Sequence, residues 1–225
     1  MSEKKKIGLI RVLTTQDQEL LQLHGRMIES CFPSLSVESR CIADQDEGVH
    51  DEASHAKALP KVLALARAFA DENVDAVYIS CAGDPGVRIL QRELAVPVIG
   101  AGTATAHAAG AYGVPVGVLG ITDDVPEEIA KVLGERIVGS LRPPQLHTTL
   151  DLFRPDAMDA LAEAGRALKS KGAKLLLLAC TGLATIGAAP ELSRRVGLPA
   201  LDPLRCAAAC LWTALCCKEA LECLG

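Results

Sequence analysis

Aromatic residues are scarce in this chain of 225 residues, at 3% of the whole, which leaves little surface for stacking nucleobases. Cationic excess is missing too. With 23 Lys and Arg against 28 Asp and Glu, the net charge of −5 offers no broad attraction to nucleic acid or to an anionic bilayer. No apolar run approaches the roughly 20 residues of a membrane span, and the most apolar C-terminal stretch, Ala207 to Cys217, falls well short. The opening MSEKKKIGLIRVL resembles a signal peptide only superficially, because its apolar part is short, is interrupted by Arg11 and lacks a small-residue cleavage site; it reads as a first strand. CxxC pairs, HxH or HExxH spacings and a Walker lysine motif are all absent, and Gly100-Ala101-Gly102 is not followed by the third glycine of a dinucleotide turn, Thr105 standing there. Nine cysteines, an odd count at irregular spacing, suit free thiols in a reducing compartment. The expectation is a soluble, cytoplasmic protein with no metal, no cofactor, no nucleic-acid partner and no membrane partner.

What is present is an apolar content of 49%, enough for a substantial core, and two stretches of the same design. Val74 to Gly86, VDAVYISCAGDPG, and Ala173 to Gly182, AKLLLLACTG, are each an apolar run that ends in a cysteine and turns on glycine. Each predicts a buried strand that delivers a thiol to a strand-to-helix turn, where open parallel sheets place their active sites. Around them, short apolar runs (7–13, 35–42, 96–100, 116–121, 146–150, 198–201) alternate with helical patterns (17–30, 53–71, from Pro85, 103–111, 125–138, 155–170, 191–196, 203–221). That alternation predicts parallel sheets covered on both faces.

The chain also repeats. Ile7-Gly8-Leu9-Ile10 matches Val116-Gly117-Val118-Leu119, and the Cys81 run with Val96-Pro97 matches the Cys180 run with Leu198-Pro199. The predicted fold class is α/β, with two pseudo-symmetric Rossmann- or flavodoxin-like lobes, residues 1–98 plus 203–225 carrying Cys81 and residues 99–202 carrying Cys180. Their facing strand ends set the two cysteines on opposite walls of one cleft.

Either cysteine alone reads as a core thiol, since free cysteine is among the most buried residue types. Two at matching strand ends of a repeat favour a shared site, and the lack of a CxxC argues against a redox motif. A thiolate on one face of an acidic carbon and a thiol on the other invert that carbon, one removing a proton and the other returning one. Backbone N–H groups of the glycine turns stabilise the enolate formed in between.

These residues resemble the two cysteine segments of the aspartate/glutamate/hydantoin racemase superfamily, in order and spacing, over nearly the whole chain. CAGDPG followed by PVIGAG is similar to the hydantoin racemase branch, where Gly-Asp-Pro-Gly follows the first cysteine. The resemblance implies a cofactor-independent racemase or epimerase with Cys81 and Cys180 as acid/base residues. It further implies a substrate-oxygen cradle that includes Gly83, Thr181 and Gly182; Thr14, Thr15, Ala82, Asp84 and Thr122, at or just past strand ends, complete the expected substrate-binding set. The expected partner is a small molecule, first a 5-substituted hydantoin and second an amino acid, and a homo-oligomer, dimer or higher, is expected. The chain departs from the pattern where hydantoin racemases carry an Asn-Pro-Asn-Thr-like turn, here Val12-Leu13-Thr14-Thr15, and where glutamate racemases carry a His after the second cysteine, here Leu183.

Alternatives are a maleate-type cis-trans isomerase of the same superfamily, or a two-lobed binding protein whose cysteines only pack; the latter would not need the matched Cys-x-Gly. Among other features, the acidic loop ADQDEGVHDE reads as solvated, Arg88 and Arg92 as a solvent face, Asp202 as the cap of the last helix, and the C-terminal cysteines 206, 210, 216, 217 and 223 as core thiols.

Overall fold

Leu, Ile and Val runs too short for helices pair side by side, and the longer amphipathic segments between them cover the faces they leave bare. The computed structural model describes residues 4–222, with side chains as far as Leu215. The first sheet comprises β1 (Lys5–Arg11), β2 (Leu35–Cys41), β3 (Ala76–Ser80) and β4 (Val98–Gly100), all parallel, in the order β2-β1-β3-β4. The second comprises β5 (Val116–Leu119), β6 (Ile137–Leu141), β7 (Leu175–Leu178) and β8 (Ala200–Leu201), also parallel, in the order β6-β5-β7-β8. The two orders are the same, so the repeat read in the sequence is a repeat of topology. In each sheet the winding reverses beside the first strand, between β1 and β3 and between β5 and β7, which is where such sheets hold ligands.

Helices α1 (Gln18–Cys31), α2 (Glu52–Asp71) and α3 (Val87–Glu93) serve the first sheet, and α5 (Glu127–Leu133), α6 (Ala157–Ser170), α7 (Thr181–Thr185) and α8 (Ala188–Leu192) follow in the second repeat. Between them lies α4 (Ala101–Ala111), built of small residues. Its Ala101 and Ala104 pack into the core around Ile7, Leu9 and Tyr78, while Ala106 and Ala109 pack into the core around Val116, Val118 and Leu177. Small side chains let one helix approach both bodies. The last helix, α9 (Pro203–Glu222), sends Leu204, Ala207, Ala208 and Leu211 into the first of these cores beside Ile28 of α1. Its start is capped by Asp202, whose carboxylate accepts from the amides of Leu204 (2.8 Å) and Arg205 (3.1 Å).

The predicted strand at residues 146–150 is not formed. Pro143 and Pro144 supply no N–H to a ladder, and the Asp151 carboxylate captures the amides of His147 (2.8 Å) and Thr148 (2.9 Å) in a turn. The sixth strand comes earlier, at Ile137–Leu141, because α5 stops at Leu133 before Gly134, whose φ of 52° leaves the helix. Cys206 and Cys210 are half-buried free thiols on α9. The side chains of Cys216 and Cys217, and Cys223 altogether, lie outside the described residues. No helix among the described residues is long and apolar enough to cross a membrane.

Gly8 and Gly117, the matched second residues of the two Ile-Gly and Val-Gly pairs, let a helix settle on each sheet. A Cβ on Gly8 would lie 2.4 Å from the Phe69 ring of α2, and one on Gly117 2.9 Å from Leu168 of α6. Gly8→Ala is therefore expected to lower the unfolding free energy by about 1–3 kcal/mol, the range for overpacking a close-packed core. Urea denaturation checks this, and the double variant with Phe69→Leu should recover part of the loss; strict additivity would exclude the clash as its cause.

Candidate active site

β3 is buried along its whole length, and the chain leaves it at Ser80 to place Cys81 at the C-terminal end of the strand. The turn that follows is held by Asp84, in the left-handed region at φ 48°, whose amide donates to the Cys81 carbonyl (3.1 Å). The Asp84 carboxylate then accepts from the amides of Gly102 (2.8 Å) and Thr103 (2.6 Å) and from the Thr103 hydroxyl (2.5 Å), so it caps α4. This brings two backbones together so closely that a Cβ on Gly102 would sit 2.1 Å from the Ala82 carbonyl oxygen. In the second repeat, Cys180 stands directly before α7, and the Leu183 amide donates to its carbonyl (3.1 Å). Both thiols meet backbone N–H groups at matching positions, Cys81 those of Gly83 and Asp84, Cys180 those of Gly182 and Leu183.

The two cysteines line one cavity of about 60 Å³, walled also by Ala82, Gly83, Thr181 and Gly182. A larger cleft of about 610 Å³ adjoins it, the two sharing Val49, Gly83, Thr122 and Pro126. An Arg88–Glu128 ion pair (2.6 Å) joins α3 to α5 across that cleft. Cys81 and Cys180 are 6% and 8% exposed. Burial pushes the Cys81 thiol up to about 12 against the pull of the Gly83 amide, with Asp84 and Cys180 adding to the rise. Burial pushes Cys180 up to about 11, opposed by the Gly182 and Leu183 amides and by the positive charge of Arg11.

A buried hydrogen-bond chain ties the two cysteine-bearing ends together. His24 on α1, fully buried, hydrogen-bonds through Nδ1 with the Ser80 hydroxyl (2.8 Å) and through Nε2 with the Thr185 hydroxyl (2.7 Å). Thr181 Oγ1 donates to the Ser80 carbonyl (3.1 Å), closing the link from the residue before Cys81 to the residue after Cys180.

Of the residues expected at the site, Cys81, Cys180, Ala82, Gly83, Thr122, Thr181 and Gly182 are gathered around the cavity. Asp84 borders the larger cleft with its carboxylate committed to α4. Thr14 and Thr15 stand apart from both cavities: the Thr14 hydroxyl donates to the Ile42 carbonyl (2.6 Å) and accepts from the Gln45 amide (2.8 Å), and Thr15 Oγ1 accepts from the Asp17 amide (3.1 Å). The acidic loop is not simply solvated, because Gly48 and Val49 wall the thiol cavity and His50, Asp51 and Glu52 the larger cleft. Arg88 likewise lines that cleft. Arg11, Thr149 and His24 escaped the sequence reading; for Arg11 and His24 the one available signal was a polar residue on an otherwise apolar, buried face, and for Thr149, in a polar loop, there was none. Among the described residues no group of three or more His, Cys, Asp or Glu side chains is arranged to hold a metal ion.

Comparison with known proteins gives a consistent picture. The family described as Asp/Glu/hydantoin racemase matches residues 12–211. The chain is 27% identical over 169 residues to a hydantoin racemase of Paenarthrobacter aurescens, covering 72% of this chain and 69% of that protein. It shares its fold with an allantoin racemase from Klebsiella pneumoniae (TM-score 0.80, 23% identity, 96% of this chain and 89% of the other). It does so too with a glutamate racemase from Thermus thermophilus (TM-score 0.68, 17% identity, 96% and 82%).

His24 titrates with a definite sign. Burial, with Arg11 nearby, holds its imidazole well below the ordinary value of 6.5, so the folded protein keeps it neutral while the unfolded chain protonates below 6.5. Stability from this group is thus present above 6.5 and lost as pH falls, by at most about 1.4 kcal/mol per pH unit. Asp84, raised by burial to about 6, titrates between its unfolded and folded values with the opposite sign. The stability difference between wild type and His24→Gln should therefore shrink from pH 7 to pH 5, in urea denaturation at each pH. A difference that stays constant would show that the imidazole does not carry the pH dependence.

Proposed function

The chain belongs to the Asp/Glu/hydantoin racemase family and is an isomerase; we propose that it inverts a carbon alpha to a carbonyl by two-base proton transfer between Cys81 and Cys180. The observation that carries this reading is the shared cavity, in which two thiols from matched strand ends each stand at a pair of backbone N–H groups. One sulfur, as thiolate, takes the proton from the carbon, and the electron pair passes into the neighbouring carbonyl as an enolate. The other sulfur, as thiol, delivers its proton to the opposite face and becomes the thiolate. The N–H groups of the glycine turns stand at the sulfurs and ease formation of the thiolate in each half of the exchange.

A 5-substituted hydantoin is the first candidate substrate and an amino acid the second. The names of the hydantoin and allantoin racemases to which this chain is similar support that order. The cavity of about 60 Å³ suits the reacting carbon and its carbonyl, and the adjoining cleft of about 610 Å³ leaves room for a substituent. The reaction needs no cofactor in this scheme, since both proton carriers belong to the chain.

Cys81→Ala and Cys180→Ala should each lower racemisation of an active hydantoin by at least about a thousandfold, within the range that acid/base groups contribute together with positioning. Each variant should still exchange the carbon-bound proton of one enantiomer in D2O, the two variants choosing opposite enantiomers. Chiral chromatography and NMR follow both quantities. Full racemisation by either variant, or no exchange above background by wild type across hydantoins and amino acids, would exclude the two-thiol scheme.

A further inference from the structure

The cleft of about 610 Å³ beside the thiols is unevenly charged. Among the described residues that wall it, seven are Asp or Glu against one Arg and no Lys, so this one surface gathers as much negative charge as the excess of the whole chain, whose net charge is −5. Most of those carboxylates are engaged within the chain. Glu128 pairs with Arg88 (2.6 Å) and Lys131 (3.2 Å), Glu127 with Lys131 (2.5 Å), and Asp123 with Arg142 (2.6 Å). Asp51 caps α2 through the Ser54 amide (2.7 Å), and Asp84 holds the start of α4. Glu52 and Asp124 are left over: among the described residues neither side chain has a hydrogen bond or an ion pair, and both are exposed. Glu52 opens α2 in the first repeat and Asp124 precedes α5 in the second, so each repeat brings one free carboxylate to the cleft. Arg88 offers them no counter-charge, being taken up by Glu128.

Geometry ties this cleft to the thiols. Gly83 walls both cavities, and a Cβ built on it would lie 3.7 Å from the Cys81 sulfur and 3.5 Å from Cδ2 of His55, a residue of the cleft. A substituent on a carbon held between the two sulfurs therefore passes Gly83 and the His55 ring as it enters the cleft. There Leu59, Val87 and Val125 offer apolar contact to an alkyl stem, and the exposed carboxylates meet its end, where water also reaches. Fixed negative charge in a cleft raises the local concentration of cations and lowers that of anions. Repelling the wrong partner is as much a source of specificity as attracting the right one.

We propose that the cleft selects substrates by the charge of the 5-substituent, accepting a short alkyl chain that ends in an ammonium or guanidinium group and refusing one that ends in a carboxylate, with Glu52 and Asp124 as the specificity-determining residues. This rests on the two-thiol reading above and deepens it by naming the substrate class. Acidic amino acids, which bring two carboxylates, are refused for the same reason. The proton transfers themselves do not involve the end of the substituent, so the selection acts on substrate capture, in KM and kcat/KM more than in kcat.

The test compares three hydantoins of similar size at pH 7: the cationic 5-(3-aminopropyl), the neutral 5-(2-carbamoylethyl) and the anionic 5-(2-carboxyethyl) compounds. Wild type should racemise the first with a kcat/KM at least about tenfold above the third, the low end of what electrostatic steering supplies, and the neutral compound should fall between. Raising the ionic strength from about 0.01 M to about 1 M, which cuts the screening length from about 30 Å to about 3 Å, should pull the cation-to-anion ratio toward one. The double substitution Glu52→Gln with Asp124→Asn should do the same at low salt, and each single substitution part of it. Losing a charge at a helix start changes stability and all three rates alike, so the ratio separates recognition from a structural role. A wild-type ratio at or below one, a ratio indifferent to salt, or one that survives the double substitution would overturn the proposal; the first two are readable even if the double variant fails to fold. Should no hydantoin be racemised, calorimetric titration of the same three compounds reads the charge preference alone. Tighter binding of the ammonium compound, weakened by salt, then means that the reaction proposed above fails and the selection stands, whereas equal affinities, tighter binding of the carboxylate or no binding overturns the selection as well.

Discussion

Everything at this site depends on how two strand ends from different sheets are held face to face. The holding is done by a few buried hydrogen bonds: Thr181 to the Ser80 carbonyl, and His24 to the hydroxyls of both Ser80 and Thr185. Each of these groups would cost about 1–3 kcal/mol if left unpaired in the interior, so the arrangement is self-enforcing once it forms. Hydrophobic packing supplies the bulk of the stabilisation but is tolerant of small slips, whereas these bonds specify which turn meets which. The two-thiol proton transfer proposed above would tolerate little slip, since misplacement by about 1 Å is enough to cost two orders of magnitude in rate. The small-residue helix α4, wedged into both cores by its alanines, completes the frame from the other side.

The same enclosure creates an electrostatic difficulty. Burial penalises the charged form of each thiol, and both are pushed far above neutrality. Each pKa unit corresponds to about 1.4 kcal/mol, so ionisation of either sulfur is opposed by several kcal/mol. The backbone amides after each cysteine offset part of that in both repeats. The repeat is not exact at this point, because β1 ends in Arg11 and its counterpart β5 ends in Leu119.

Much of this was legible in the sequence, for physical reasons that also explain what was not. A strand buried on both faces must be apolar throughout, so AVYIS and LLLL announce themselves, and the cysteine that ends each run stands out against it. The paired Gly8 and Gly117 mark the repeat because both answer the same need, a helix close on a sheet. The sixth strand was misplaced because IVGSL lies half-buried at a sheet edge, with a weaker apolar signal than the helix before it. Arg11 looked like an interruption of a first strand, and only the tertiary fold reveals that the strand ends at a cavity. His24 is similar: nothing local tells a histidine on the inner face of an amphipathic helix from an ordinary packed one, since its partners lie 56 and 161 positions away.

Asp84 shows how a motif can govern a site without touching what is bound there. Gly-Asp-Pro-Gly invites a reading in which the carboxylate meets the substrate. In the folded chain both of its oxygens are occupied by the start of α4, at Gly102 and Thr103. Its left-handed backbone closes the turn, with its amide on the Cys81 carbonyl, and the Gly83 and Asp84 amides favour the anionic form of Cys81. The carboxylate therefore fixes the cradle by anchoring it to the helix that both cores share, and its negative charge is one of the influences that raise Cys81. A residue that positions the first thiol thus also adds to the rise that burial imposes on it.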